Sequence, residues 1–288
     1  MIGKTRQDTR QLTHYDAGAG PARGILRTDS AAGTFSHSRK SPAAELNPWI
    51  LHYWMVEWDL EQGRVQTVET LPHPNVQLVF SSQDGSALVH GVHTGKFSRR
   101  LQGRARVFGV KFRAGGFFPF LQAPVSSLRG KTIPATRVFG EDLVRLHSIL
   151  TSESSEQGKL DHANEFFSRL APKADADADS AAKLVDSIFN DPGIRGVAEL
   201  SSRSGLSIRS LQRLFYQYVG VSPKWVIRRY RLHELVEQLN SGKRRDWATV
   251  AAELGYFDQS HLIRDFRRLT GWSPEEYRLT LIQEMEKA

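Results

Sequence analysis

Apolar residues fall on every second position in the first half of the chain and shift to a helical period in the second. Val76, Leu78 and Phe80 alternate, as do Phe108, Val110 and Phe112, the period expected of strands with one face buried. Turn clusters separate such runs: Pro72-His73-Pro74-Asn75, residues 81–85 and residues 91–95. Segments 141–150 and 160–170 then read as helices, the second marked by Phe166, Phe167 and Leu170. Residues 1–40 are rich in Gly, Ser, Thr, Arg and Ala without a sustained period and read as a flexible leader. The stretch from Pro172 to Ser180 is polar and repetitive, the composition of a linker. The divisions expected are a leader over 1–40, an N-terminal domain over 41–171, a linker over 172–180 and a helical domain over 181–288.

Within the helical part the chain repeats itself. Leu211, Arg213, Phe215, Gly220, Ser222 and Pro223 recur as Leu262, Arg264, Phe266, Gly271, Ser273 and Pro274, each pair 51 residues apart. Each unit reads as a supporting helix, a glycine, a capping residue and a second helix. Gly205 and Ser207 punctuate the first unit, Gly255 and Asp258 the second. Leu211, Leu214, Phe215 and Tyr218 fall on one helical face, and Leu262, Phe266 and Leu269 on its counterpart. Between the units Ser222 and Pro223 open a long helix with the apolar stripe Val226, Ile227, Tyr230, Leu235, Val236 and Leu239. Arg228, Arg229 and Arg231 on that helix read as solvated or phosphate-facing. Residues 273–276 form a capping box that opens the last helix. The fold expected is therefore α+β: a β-rich N-terminal domain with flanking helices, then an all-α C-terminal domain of two helix-turn-helix units joined by a linker helix.

Composition narrows the function without naming it. Of 288 residues, 40% are hydrophobic and 24% charged, as in globular proteins, and the net charge of +8 suits a polyanionic partner. Residues before 181 carry 22 basic and 18 acidic side chains and the rest carry 17 and 13. Both parts are +4, so charge alone does not locate an interface. The absence of cysteine excludes disulfides, thiol nucleophiles and Cys-ligated metals. No apolar run approaches the ~18 residues of a membrane span, and the N-terminus lacks a signal-like apolar segment, so a cytoplasmic protein is expected.

Arg and Gln on the outward face of the second helix in each unit suit base readout. Arg can pair with guanine O6/N7, and Gln with adenine N6/N7. One such face alone is more often merely solvated; two in a repeated frame favour nucleic acid. Residues 195–280 resemble the DNA-binding domain of the AraC/XylS family of bacterial regulators. The resemblance is carried by 250–266, by 270–277, and by Ser207, Leu211, Gln212, Arg213, Phe215 and 220–223. Ser201 stands where that family usually has Ala, and Leu262 where Phe is commoner. The resemblance implies a sequence-specific transcription regulator of double-stranded DNA, activator or repressor. One monomer would place two recognition helices in successive major grooves. The matching contact positions are Arg209, Gln212 and Arg213 in the first helix, and Gln259, Ser260, His261 and Arg264 in the second. The same resemblance implies no cofactor, no catalytic residue and no membrane partner, with RNA polymerase and a second copy of the chain as partners.

From Leu46 to about Leu170 the chain is similar to a domain of unknown function often found ahead of such units. The matching stretches are 52–54, 71–80 and 106–113, with Gly115-Gly116 after them. By analogy it binds a small-molecule effector, mediates dimerisation, or both. Trp54, Trp58, His73 and Arg113 are the expected effector pocket. Trp49, Tyr53, Trp54 and Trp58 are open to a pocket or to a core reading. His73, His90 and His93 with Glu69 lack metal-ligand spacing and read as turn or surface residues, so no metal is expected. Gly115-Gly116 reads as a tight turn rather than a phosphate loop. The alternative overall is an enzyme or sensor domain fused to a DNA-targeting module; the lack of cysteine removes a methyl-acceptor thiol from that alternative.

Overall fold

The computed structural model describes residues 11–15, 25–28, 33–240 and 246–285. Its strands are β1 (Gln11–Tyr15), β2 (Ile25–Thr28), β3 (Gly33–Lys40), β4 (Ile50–Leu60), β5 (Val65–Thr70), β6 (Gln77–Ser81), β7 (Ala87–His90), β8 (Phe97–Gln102), β9 (Arg104–Phe112) and β10 (Thr132–Pro134). Interleaved with and following them are α1 (Phe118–Leu121), α2 (Thr136–Phe139), α3 (Asp142–Ser152) and α4 (Glu156–Leu170). The C-terminal helices are α5 (Ala176–Asn190), α6 (Val197–Ser204), α7 (Ile208–Leu214), α8 (Pro223–Asn240), α9 (Trp247–Glu253), α10 (Gln259–Thr270) and α11 (Pro274–Met285).

Seven strands form one sheet in the order β1-β3-β4-β9-β6-β7-β10, and β2-β5-β8 form a smaller one. The two faces of the large sheet do different work, because side chains alternate across a strand. On one face Tyr53, Met55, Leu78, Phe80, Phe108, Val110 and Phe112 pack under Leu143, Leu146, Leu150, Phe166 and Phe167 of α3 and α4. Aromatic rings fill that layer, with Phe112 and Phe117 centroids 4.8 Å apart and Phe166 and Phe167 5.3 Å apart. On the other face Trp58, Val79 and Val107 meet Leu101 of the small sheet. Trp54 and Trp58 thus lie on the small-sheet side, while Tyr53 and Trp49 belong to the helix-side core.

Two boundaries differ from those expected. The leader over 1–40 is overturned at its end, since β3 pairs with β4 at eight positions from Gly33↔Leu60 to Lys40↔Tyr53. Its Gly-Thr-Phe-Ser-His-Ser-Arg-Lys composition masked an alternation in which Phe35, His37 and Arg39 share one face. The remainder of the expected leader, apart from β1 and β2, lies outside the described residues. The linker over 172–180 is also shorter than expected. Asp175 accepts from the amides of Asp177 and Ala178 at 2.9 and 3.0 Å and starts α5, so the Ala-Asp repeat is the first turn of a helix.

Gly115 and Gly116 form the expected turn, and it has a packing reason. Gly115 has φ +84°, and a Cβ there would lie 2.5 Å from the carbonyl oxygen of Ala178 on α5. The two domains are closely joined elsewhere as well. Val92 and Ala114 enter the core of the first helical unit, and Leu71 enters that of the second.

Candidate nucleic-acid interface and the N-terminal cavity

The two helical units are built alike. Ser207 caps α7 by accepting from the Ser210 amide at 3.1 Å, and Asp258 caps α10 by accepting from the His261 amide at 2.7 Å. Leu211 and Phe215 in the first unit, and Leu262 and Phe266 in the second, are fully buried. Beyond α7 the chain continues through a π-helical turn (Phe215–Val219) to Gly220 at φ 89°, and α10 stops at Gly271 with φ 91°. The repeat slips by one residue in the turn, where Gly205 is followed by two steps to the cap and Gly255 by three. The extra residue is Tyr256, whose hydroxyl donates to Asp265 at 2.8 Å and locks the longer turn onto α10.

Burial of these inner faces turns a defined set of side chains outward. Arg209, Gln212 and Arg213 on α7 are exposed, as are Gln259, Ser260 and Arg264 on α10. His261 is half-buried, its ring set edge-on to Tyr256 at 5.2 Å. Carboxylates separate two kinds of arginine on α10. Arg267 is held by both oxygens of Glu276 at 3.0 Å, and Arg268 pairs with Asp265 at 2.9 Å. Arg264 donates only to the Ser260 carbonyl at 3.3 Å, and Arg209 and Arg213 have no carboxylate partner among the described residues. The three arginines picked out by spacing are therefore those left available to an external acceptor.

Between the units runs α8, and here the sequence reading is corrected. Arg229 and Arg231 are not solvated or phosphate-facing: they are 5% and 1% exposed. Eleven residues of α8 are buried, on all sides, because both helical units and the N-terminal domain pack against it. Arg231 donates to the carbonyls of Ile188, Asp191 and Ile194 at 3.3, 2.8 and 3.2 Å and to Glu234 at 2.8 Å. Arg229 lies over the Trp225 ring at 4.7 Å and donates to the Thr94 carbonyl at 3.0 Å. Burial, followed by the charge of Arg268, pulls its pKa down to about 10 against the opposing pull of Asp265 and Tyr256. A stripe reading assigned arginine outward by default, and the periodicity of α8 carries no sign of a third packing partner.

Between the two sheets lies a cavity of about 260 Å³. Trp54, Trp58 and His73 line it, together with Arg39, His52, Gln77 and Lys111, which the sequence reading did not single out. The indole of Trp54 fits there because position 109 is glycine; a Cβ would fall 1.9 Å from its ring. Trp54 Nε1 donates to Gln77 Oε1 at 3.0 Å and fixes the ring's orientation. Arg113 is not in the cavity, contrary to expectation. β9 ends at Phe112 and the chain turns, so Arg113 instead pairs with Asp186 of α5 at 3.1 Å. The signal for Lys111 was present in the sequence, as one charged residue inside the apolar run from Val107 to Phe112.

The cavity's titratable groups are biased against charge. Burial, with the charges of Lys111, Arg39 and His37 behind it, pushes His52 down to about 2. Burial first and Arg39 second lower His37 to about 4, and burial with His93 and Arg99 lowers His90 to about 4. Lys111, 7% exposed, is lowered to about 7 by burial and by Arg39. Among the described residues no group of three His, Cys, Asp or Glu is placed to hold a metal ion. No helix is long and apolar enough to cross a membrane among them either.

Two capped recognition-type helices at a constant offset, hung on one buried helix, define a tandem helix-turn-helix domain. Residues 200–280 match the family described as a helix-turn-helix domain, and residues 38–134 match a domain of unknown function, DUF6597. The C-terminal unit is thus a helix-turn-helix domain, preceded by that uncharacterised domain. It is 35% identical over 80 residues to the HTH-type transcriptional activator RhaS of Escherichia fergusonii, covering 27% of this chain and 28% of the relative. It is 34% identical over 82 residues to a putative AraC-like transcription regulator of Streptomyces antibioticus, covering 28% and 27%. The chain thus spans little more than a quarter of the length of these curated relatives. Among solved structures, ToxT from Vibrio cholerae O395 is similar over 87% of this chain and 98% of its own, at 12% identity and a TM-score of 0.35.

Proposed function

We propose that this protein is a sequence-specific, DNA-binding transcription regulator whose N-terminal cavity receives a small-molecule effector. The observation that carries the reading is the pair α7 and α10, each presenting carboxylate-free arginine and exposed glutamine beside a capped N-terminus. Arg209, Gln212 and Arg213 read one major groove, and Gln259, Ser260 and Arg264 read the next, about one helical turn or ~10 base pairs away. His261 braces the second helix through Tyr256 and reaches the groove only with its outer edge. One chain therefore recognises two adjacent sites. Under this reading it performs no reaction of its own.

Regulation follows from where the cavity's rim goes. Leu71 and His73 line the cavity, and Leu71 is also part of the core formed by α8 and the second unit. The His73 and His233 rings meet at 4.5 Å, and His233 Nε2 lies 3.2 Å from the Pro72 carbonyl. An effector that shifts this loop shifts α8, on which both recognition helices depend.

Selection of duplexes from a random pool, followed by fluorescence anisotropy on the full chain, tests the DNA assignment. Two short motifs ~10 base pairs apart are expected. Arg213→Ala and Arg264→Ala should each cost ~1–3 kcal/mol and relax preference within one motif only. Equal weakening on every sequence would remove base reading from that residue.

A further inference from the structure

The cavity has a polar end and an apolar end, and strand register fixes which is which. Lys111 sits between its partners His52 on β4 and Gln77 on β6. Two residues along β9, Gly109 lies opposite Trp54, and further on Val107 and Ala105 lie opposite Val56 and Trp58. Trp58, Val79, Leu101, Ala105 and Val107 close that far end as an apolar cluster. The space therefore runs from an ammonium group to an aromatic and aliphatic floor.

Among the described residues no aspartate or glutamate lines it. Arg99, also on the wall, is occupied: it donates to Ser81 Oγ at 2.7 Å and pairs with Asp84 at 3.8 Å. Lys111 lines the cavity at 7% exposure, and no hydrogen bond or ion pair holds it among the described residues. A lysine held in that state is costly unless something pairs with it. His52 beside it is neutral near pH 7 and provides hydrogen bonding, while Arg39 in the same lining adds a second positive charge that acts on Lys111.

We propose that the cavity binds an organic monoanion, an apolar body ending in a single carboxylate, with Lys111 as its counter-ion. This rests on the reading of the cavity as the effector site and specifies the chemistry that fits it. The carboxylate lies at the Lys111 end beside His52 and Gln77, and the body lies along Trp54 toward Trp58. That end of the cavity is the one bordered by His73, which touches α8.

Matched ligands separate the charge from the body. Cinnamate and decanoate, each beside its primary amide, are titrated into the full chain by calorimetry and by quenching of tryptophan emission. A charge-assisted hydrogen bond predicts that at least one acid binds about 10- to 100-fold tighter than its amide. Lys111→Met, which replaces a buried ammonium by an apolar chain of similar length, should fold and should erase that difference. Equal affinity for acid and amide, an undiminished difference in Lys111→Met, or no binding of either acid at millimolar concentration would overturn the proposal. The acid–amide comparison on the unaltered chain needs no variant to fold. DNA anisotropy in the same samples keeps the two readings apart. Lys111-dependent acid binding that leaves DNA affinity unchanged supports the ligand class and removes effector control. Amide binding as tight as acid binding, with altered DNA affinity, keeps effector control and overturns the ligand class.

Discussion

Two buried arginines two residues apart on α8 should respond very unequally to the same substitution. Arg231 gives three main-chain carbonyls and Glu234 their donor, so Arg231→Met leaves those acceptors short in a dry interior. Losing one partner of such a buried arrangement costs ~3–5 kcal/mol. Arg229 makes one hydrogen bond, to Thr94, while its Nε and Nη1 are buried without a partner among the described residues. Arg229→Met forfeits a charged hydrogen bond worth ~1.5–3 kcal/mol. It also loses the Trp225 ring contact, worth ~0.5–2 kcal/mol, and removes two unsatisfied donors that each cost ~1–3 kcal/mol; at mid-range these leave a net change within ~1 kcal/mol of zero. Urea unfolding followed by far-ultraviolet circular dichroism measures both, because α8 is buried by both domains and its loss reports on either. Arg231 leaves only its Nε without a partner among the described residues, so a cost for Arg229→Met equal to or larger than that for Arg231→Met would refute the ranking of the two by how many donors are satisfied.

Gly109→Ala places a methyl group 1.9 Å from the Trp54 ring, so the indole must leave Gln77. A loss of ~1–3 kcal/mol and a shifted tryptophan emission are expected, and unchanged emission would contradict the packing. Glu276 accepts from the Ser273 amide and from Arg267, which hold its carboxyl at about 2. Because that value is depressed, its contribution is full above the ordinary carboxylate range and is lost as pH falls toward 2. Glu276→Gln should therefore flatten the acid side of the thermal-midpoint profile, and an unchanged acid limb would argue against the capping box as its source.

How much of this was legible in the sequence depended on how local its cause was. Caps, αL glycines and the paired stripes of α7 and α10 are set by neighbours within a few residues, and the offset of 51 doubled the signal. The helix-side face of the large sheet was legible too, because Leu78, Phe80, Phe108 and Val110 alternate strongly. The opposite face was not. Phe35, His37 and Arg39 sit in a Gly- and Ser-rich stretch whose strand is made by pairing with β4 on one side and β1 on the other. Their shared cavity is made by strands from distant parts of the chain. Arg113 was misplaced for a related reason: its position follows from where β9 stops, which the turn and α5 decide together.

The same distinction explains α8 and gives it its role. A helix buried on one side tolerates arginine on the other, which is what an amphipathic stripe predicts. Here the first unit takes Val226, Ile227 and Tyr230, the second takes Leu232, Leu235, Val236 and Leu239, and the N-terminal domain meets Arg229 and His233. Of its three arginines only half-buried Arg228 keeps surface that could meet a phosphate. A buried helix shared by three bodies cannot move relative to one of them without disturbing the others, because packed interiors switch between arrangements rather than deform smoothly. The N-terminal domain also reaches each unit directly, through Phe118 against Tyr218 at 4.4 Å and Lys96 over Trp272 at 5.4 Å. A change at the cavity rim therefore reaches α7 and α10 together, so an effector is expected to alter affinity for both halves of a site rather than for one.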